Sequence, residues 1–224
     1  MSIECNFCKK SFQKESSIAI HLCEPKRRHR EQDERGVQLG LQAYLKFYES
    51  MQGTAKLKTF SDFAESSYYR AFVKFGRYCV ATRVISPSRF LEWLLKNNKK
   101  IDNWCKDSMY EEYLLWYLTV ESPEDALTRA IEFSLDWAEK NQAKAEDCLR
   151  YGSSNGMVHA IVSGRISAWV IYNSESGQYF LTTLSSEQIS IIWPYINTEV
   201  WQKKFADYKA DQEYVREMLT NLGW

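Results

Sequence analysis

Proline and glycine are scarce, with 4 and 9 in 224 residues, and so few breakers exclude a loop-rich or all-β chain and predict long helices. No run of about 20 apolar residues occurs, which excludes an ordinary membrane-spanning helix. The sequence also lacks the phosphate-cradling G-x-x-x-x-G-K-[ST] loop, G-x-G-x-x-G, H-E-x-x-H and G-x-S-x-G, and with them the commonest signatures of nucleotide, metalloprotease and hydrolase chemistry. Histidine is rare: of three in the chain, His21 and His29 lie near the start, leaving His159 as the one neutral-pH general base beyond them. Ser163 is too generic a companion to make His159 half of a nucleophile pair. Glu111–Glu112 and Glu146–Asp147 are adjacent pairs that face different sides of a helix and assemble no acid/base site. These absences predict a non-enzymatic protein.

What is present describes a core-forming chain, 45% apolar with a mean hydropathy of -0.47. The neutral formal charge conceals an asymmetry: 20 Lys and Arg stand against 11 Asp and Glu up to Lys106, and 9 against 18 from Asp107 onward. A front half at +9 and a back half at −9 suggest an anionic partner for the first, and a basic partner or mutual neutralisation for the second. Six cysteines fall at 5, 8, 23, 79, 105 and 148, and no apolar leader segment follows Met1, so a cytoplasmic protein is expected. Disulfides are disfavoured in such a compartment. Cys79, Cys105 and Cys148 sit in apolar helical contexts and read as small core residues.

The three early cysteines require a different explanation. Cys5 and Cys8 flank two residues, and His21 follows after twelve more, which is the ligand spacing of a structural zinc site. Phe12 and Ile18 fall where the C-x2-C-x3-F-x5-(Leu-like)-x2-H pattern of the two-Cys/two-His zinc-finger family places its two core residues, and the segment resembles that family. The resemblance implies Zn2+ as cofactor and a small core of Phe12 and Ile18 beneath it. About 30 residues bury too little to fold unaided, so ligation supplies the folding energy. The fourth ligand departs from the family, because the chain offers Cys23 or His29 in place of a histidine three to five residues on. On a continuous helix His29 lies about 12 Å beyond His21 and Cys23 points away, but Pro25 disfavours helical geometry at Glu24 and lets the chain turn either toward the metal. A thiolate beside Lys26, Arg27, Arg28 and Arg30 is the electrostatically favoured choice.

Between Lys9 and Arg30, seven cations (Lys9, Lys10, Lys14, Lys26, Arg27, Arg28 and Arg30) oppose two glutamates, enough to bind DNA phosphates through counterion release. One finger reads few base pairs, so such contact is expected to be non-specific in sequence. The competing reading is a metal-stapled knob that docks on a protein. A second basic-aromatic candidate surface is Tyr69, Arg70, Lys74 and Arg77, rings and cations interleaved as in single-strand binders.

Apolar spacing divides the chain into a finger-like module (1–30), a charged linker and helix ending near Gly53 (31–58), a helical domain (59–150) and a C-terminal region (151–224). Thr59 with Asp62, Ser86–Pro87 and Ser122–Pro123 mark helix starts, and 102–120 looks buried nearly all round. Alternation over Ile166–Tyr172, a turn at 173–177 and the run 178–184 predict a β-hairpin. Trp201, Phe205, Tyr208, Gln212, Val215, Leu219 and Leu222 form a helical stripe, and the terminal Trp224 either tucks onto it or anchors a partner. The fold class is mainly α with a small β-hairpin (α+β), a zinc finger followed by a helical domain, and a monomer is expected.

The stretch 150–224, with Ser163-Gly164-Arg165-Ile166-Ser167-Ala168-Trp169-Val170, Trp201-Gln202-Lys203-Lys204-Phe205 and the ending Asn221-Leu222-Gly223-Trp224, resembles uncharacterised proteins of tailed bacteriophages that carry an N-terminal finger. The resemblance implies the cytoplasm of an infected bacterium, and a DNA-binding or adaptor role with replication or transcription proteins as partners. It assigns no catalytic residue.

Overall fold

The computed structural model describes residues 2–52 and 58–224. Among the described residues it is mainly helical with one small antiparallel strand pair, and the chain divides into two compact units that meet in sequence at Tyr113 and Leu114. Among the described residues no helix is long and apolar enough to cross a membrane.

The first unit opens with β1 (Ile3–Glu4) and β2 (Ser11–Phe12), paired Ile3 to Phe12 and Glu4 to Ser11. Short helices α1 (Glu15–Ile20) and α2 (Glu24–Arg30) follow, and neither contains a fully buried residue. The expected charged linker is largely helix α3 (Arg35–Gln52), with Val37, Ala43 and Tyr44 buried. Gly53, read as its stop, lies outside the described residues. At α4 (Phe60–Glu65) the capping box forms, Thr59 and Asp62 each satisfying the other's backbone amide.

Helix α5 (Tyr69–Ala81) crosses α3 at glycines. A Cβ built on Gly76 would lie 1.9 Å from the Gly36 carbonyl oxygen, so the two backbones approach where only glycine fits. An aromatic core surrounds this crossing. Trp104 is fully buried, with its ring 5.3 Å from Phe75 and its indole N–H on the Lys99 carbonyl. Helix α6 (Pro87–Lys96) starts after Ser86, which adopts a left-handed conformation (φ 48°) and makes no side-chain cap. The hydroxyls of Tyr110 and Tyr113 on α7 (Asp107–Val120) instead secure this loop through the Ile85 amide and carbonyl. Helix α7 buries one face only, since Leu115, Trp116 and Val120 are exposed, correcting the expectation of all-round burial.

In the second unit Ser122 caps α8 (Pro123–Asn141) as expected, its hydroxyl accepting from the Asp125 amide. The short α9 (Cys148–Tyr151) and α10 (Ser154–Val162) lead to the largest correction. Residues 166–184 are not a β-hairpin: they form α11 (Ala168–Asn173) and α12 (Glu175–Thr182). Ser167 and Ser174, read as strand and turn residues, are helix N-caps, with hydroxyls accepting from the Trp169 and Gly177 amides. Every residue from Ile166 to Ile171 is buried, so neither face of this short helix is polar and periodicity could not identify it. The chain's strand pair instead belongs to the finger-like module.

Helices α13 (Ser186–Ile196), α14 (Thr198–Asp207) and α15 (Lys209–Asn221) complete this unit. The expected C-terminal stripe is interrupted at Tyr208, 55% exposed, while Trp201, Phe205, Val215 and Leu219 reach the core. Gly223 turns the backbone with φ 77° and Trp224 folds back into the same core, its amide on the Leu219 carbonyl. Beneath α14, Glu121 and Arg129 form a buried ion pair, and Arg129 also donates to the Gly164 carbonyl. Burial drives the Glu121 carboxyl up despite that arginine.

Candidate metal centre

Cys5 and Cys8 lie on the turn between β1 and β2. The Cys5 amide donates to the Lys10 carbonyl and the Lys9 amide to the Cys5 carbonyl, both at 2.9 Å, and Lys9 closes the turn with φ 61°. The tight turn aims backbone amides at sulfur. Those of Cys8 and Phe7 hold the Cys5 thiol below its ordinary value against the opposing effect of burial. The Lys10 amide acts likewise on Cys8, but burial and the neighbouring Cys23 and Cys5 sulfurs outweigh it, and the Cys8 thiol sits above its ordinary value. Three sulfurs this close cannot all ionise without a cation among them.

The other two donors come from where α1 stops. His21 follows the helix in extended conformation (φ -66°, ψ 121°), and Cys23, also extended, is the residue from which α2 starts. This break at Leu22 does what Pro25 was expected to permit. It brings Cys23 Sγ to 3.9 Å from Cys5 Sγ, and His21 Nε2 to 3.2 Å from Cys8 Sγ. All four ligand atoms lie within 4.8 Å of one another, close enough to hold a metal ion. A tetrahedron with Zn–S near 2.3 Å and Zn–N near 2.0 Å has edges of about 3.8 Å between sulfurs and about 3.5 Å from sulfur to nitrogen. The donor set and its spacing therefore fit zinc. Phe12, half-buried, packs its ring 4.7 Å from that of His21, and Ile18 on α1 is also half-buried.

His29 is outside this cluster. Its ring sits 5.1 Å from Phe7 and 5.4 Å from Phe60 on α4, a packing contact that seats the finger-like module on the first unit's helices. The H-x-C spacing of His21 and Cys23 was thus visible in sequence as one of two options, and only the course of the chain selects it.

The basic residues separate into two groups. Lys9, Lys10, Lys14 and Arg30 are exposed. Lys26, Arg27 and Arg28 are engaged within the fold: Lys26 donates to the His21 carbonyl, Arg27 pairs with Glu24 and Glu31, and Arg28 donates to the Ala64 carbonyl while lying 4.5 Å over the Tyr69 ring. Tyr69 is buried, and its remaining surface lines a groove together with the exposed Arg70, Lys74 and Arg77. The carboxylates that partner Arg27, Arg70 and Arg77, namely Glu24, Glu31 and Glu34, were missed in sequence. Pairs such as Glu31–Arg77 join residues 46 apart, beyond any local signal.

His159 is exposed, and the Ser163 hydroxyl donates to the His159 and Ala160 carbonyls rather than to a ring. Compared with known families, curated proteins and solved structures, the chain matches none.

Proposed function

We propose that this is a zinc-stapled, non-enzymatic protein whose N-terminal unit engages DNA phosphates without sequence preference, acting as a DNA-binding or adaptor protein in phage genome replication, transcription or processing. The observation that carries the reading is the four-donor cluster set in a module with exposed cations at Lys9, Lys10, Lys14 and Arg30. Zinc here is structural: four protein donors leave no open coordination position for substrate. The phage setting rests on the resemblance of the 150–224 stretch alone.

A second reading has its own support. Ile20 is 85% exposed, and Leu22 and Phe7 are exposed on the same module, as expected of a knob that docks on a polymerase, clamp or virion protein without touching DNA. Affinity of the zinc-loaded full chain for duplex and single-stranded DNA, measured against salt, separates the two. Under the first reading log K falls linearly with log salt, by about 0.9 for each phosphate neutralised on duplex and about 0.7 on a single strand. Absence of binding to either form at low salt would leave only the docking reading.

A further inference from the structure

In the first unit, α2 and α5 leave a groove of about 620 Å³ between them. Arg27 stands on the α2 wall and Arg70, Lys74 and Arg77 on the α5 wall, with Glu24 and Glu31 between. These cations are not equally available. Arg77 is held by Glu34 and Glu31, and Arg27 by Glu24 and Glu31. Arg70 is different: it reaches Glu24 only at 3.4 Å, and its side chain is 77% exposed. Lys74 is exposed and makes no ion pair to any described residue. Residues four apart are neighbours on a helix face, about 6 Å between Cβ atoms, so Arg70 and Lys74 present two adjacent positive charges along one wall.

We propose that this groove binds the phosphate backbone of a single nucleic-acid strand, and that metal ligation in the finger assembles it; the proposal rests on the DNA-contact reading above. A backbone ligand is favoured over a free nucleotide because the two available cations, Arg70 and Lys74, repeat along one wall, while the two rings that line the groove, Tyr69 and Tyr78, are engaged by other groups. Tyr69 is buried under Arg28, and Tyr78 lies with its hydroxyl on Asp107. The groove's available groups are therefore cations, which hold phosphates and carry no base readout.

The coupling to metal follows from how the α2 wall is built. Among the described residues before Gly36, Cys5 alone is buried, so the module has almost no apolar core of its own. Helix α2 begins at Cys23, whose carbonyl accepts from the Arg27 amide at 2.9 Å. Ligation of Cys23 thus fixes the start of the helix that carries Glu24 and Arg27 and is followed by Glu31. Arg28 on the Ala64 carbonyl and His29 against Phe60 seat the end of α2, whereas the ion pairs from α2 to α5 are surface contacts and weak on their own, so the start of α2 depends on the metal. Strand binding and zinc binding are then linked, each strengthening the other by the same factor.

The test uses the full chain and a fluorescein-labelled dT12, read by anisotropy at low salt. Arg70→Glu/Lys74→Glu is expected to weaken binding by about tenfold or more, and Lys74→Gln to lower the salt slope by about 1. Lys9→Glu/Lys14→Glu should have the smaller effect. Chelation should weaken the wild type and restored zinc should recover it, while the doubly reversed variant, checked for zinc content and helicity, should lose little more on chelation. Equal binding of dA12 and dT12 supports backbone recognition. If the wild type binds dT12 but the Arg70/Lys74 variant binds equally well, the groove assignment is overturned and the DNA reading stands. If the wild type binds no DNA, both fall. Competition by inorganic triphosphate at concentrations matching dT12 would make a free polyphosphate the ligand and overturn the strand assignment.

Discussion

Gly76→Ala is the most severe small change this fold predicts. The new methyl would lie 1.9 Å from the Gly36 oxygen, 2.6 Å from the Gly40 nitrogen and 3.0 Å from the Gly36 carbonyl carbon. All three are backbone atoms of α3, which cannot rotate away as a side chain would. Restoring ordinary contact near 3.5 Å requires the helices to separate by about 1.5 Å at the crossing. That displacement would loosen the aromatic contacts around it, including Tyr44 against Phe72 at 5.6 Å. Overpacking of this kind costs about 1–3 kcal/mol and more where backbone must move. Alanine's better helix propensity returns about 1 kcal/mol. A net loss of about 2–3 kcal/mol is expected, because a clash with backbone on both sides places the gross cost at about 3–4 kcal/mol. With two units in the chain a single melting temperature is ambiguous, so the assay is hydrogen exchange on peptides covering 35–52 and 69–81. These should exchange faster by about 30- to 150-fold wherever protection reports opening of this unit, with peptides of the second unit unchanged. Unaltered or slower exchange in both peptides would refute the close-approach account.

Within the second unit, Arg129→Ala should cost about 3–5 kcal/mol by leaving the Glu121 carboxylate buried and unpaired, whereas Glu121→Leu/Arg129→Met should recover most of the loss in urea denaturation. Equal damage from the single and double changes would deny the pair its role. Deleting Gly223 and Trp224 removes a ring that is 9% exposed in the core and should destabilise this unit by about 1.5–3 kcal/mol while the protein stays monomeric. An unchanged melting curve would show that the ring contributes nothing there.

The finger-like module was the most legible part of the sequence, because metal ligands declare themselves by residue type and spacing. Cys5, Cys8 and His21 needed no tertiary information, but Cys23 against His29 did, since the decision lies in where α1 stops. Cap chemistry placed α4 and α8 through Thr59 and Ser122. The same chemistry misled at Ser174, where a serine-rich stretch that resembled a hairpin turn begins α12. Helix α11 was missed because burial on all sides erases the polar face on which periodicity depends. Arg70, Lys74 and Arg77 were legible as a charged helix face, but the glutamates on or near α2 that partner Arg70 and Arg77 arrive by long-range packing. Tyr69 looked like a stacking ring for the same reason: nothing local shows that Arg28 covers it.

The central claim is a tetrahedral zinc bound by three sulfurs and one nitrogen, and zinc K-edge absorption on protein purified without chelators tests it most directly. One zinc per chain is predicted, with three sulfur scatterers near 2.3 Å and one nitrogen near 2.0 Å, converting to two sulfurs in Cys23→Ser and unchanged in His29→Ala. A shell of two sulfurs and two nitrogens in the wild type, or protein without zinc, would contradict the account.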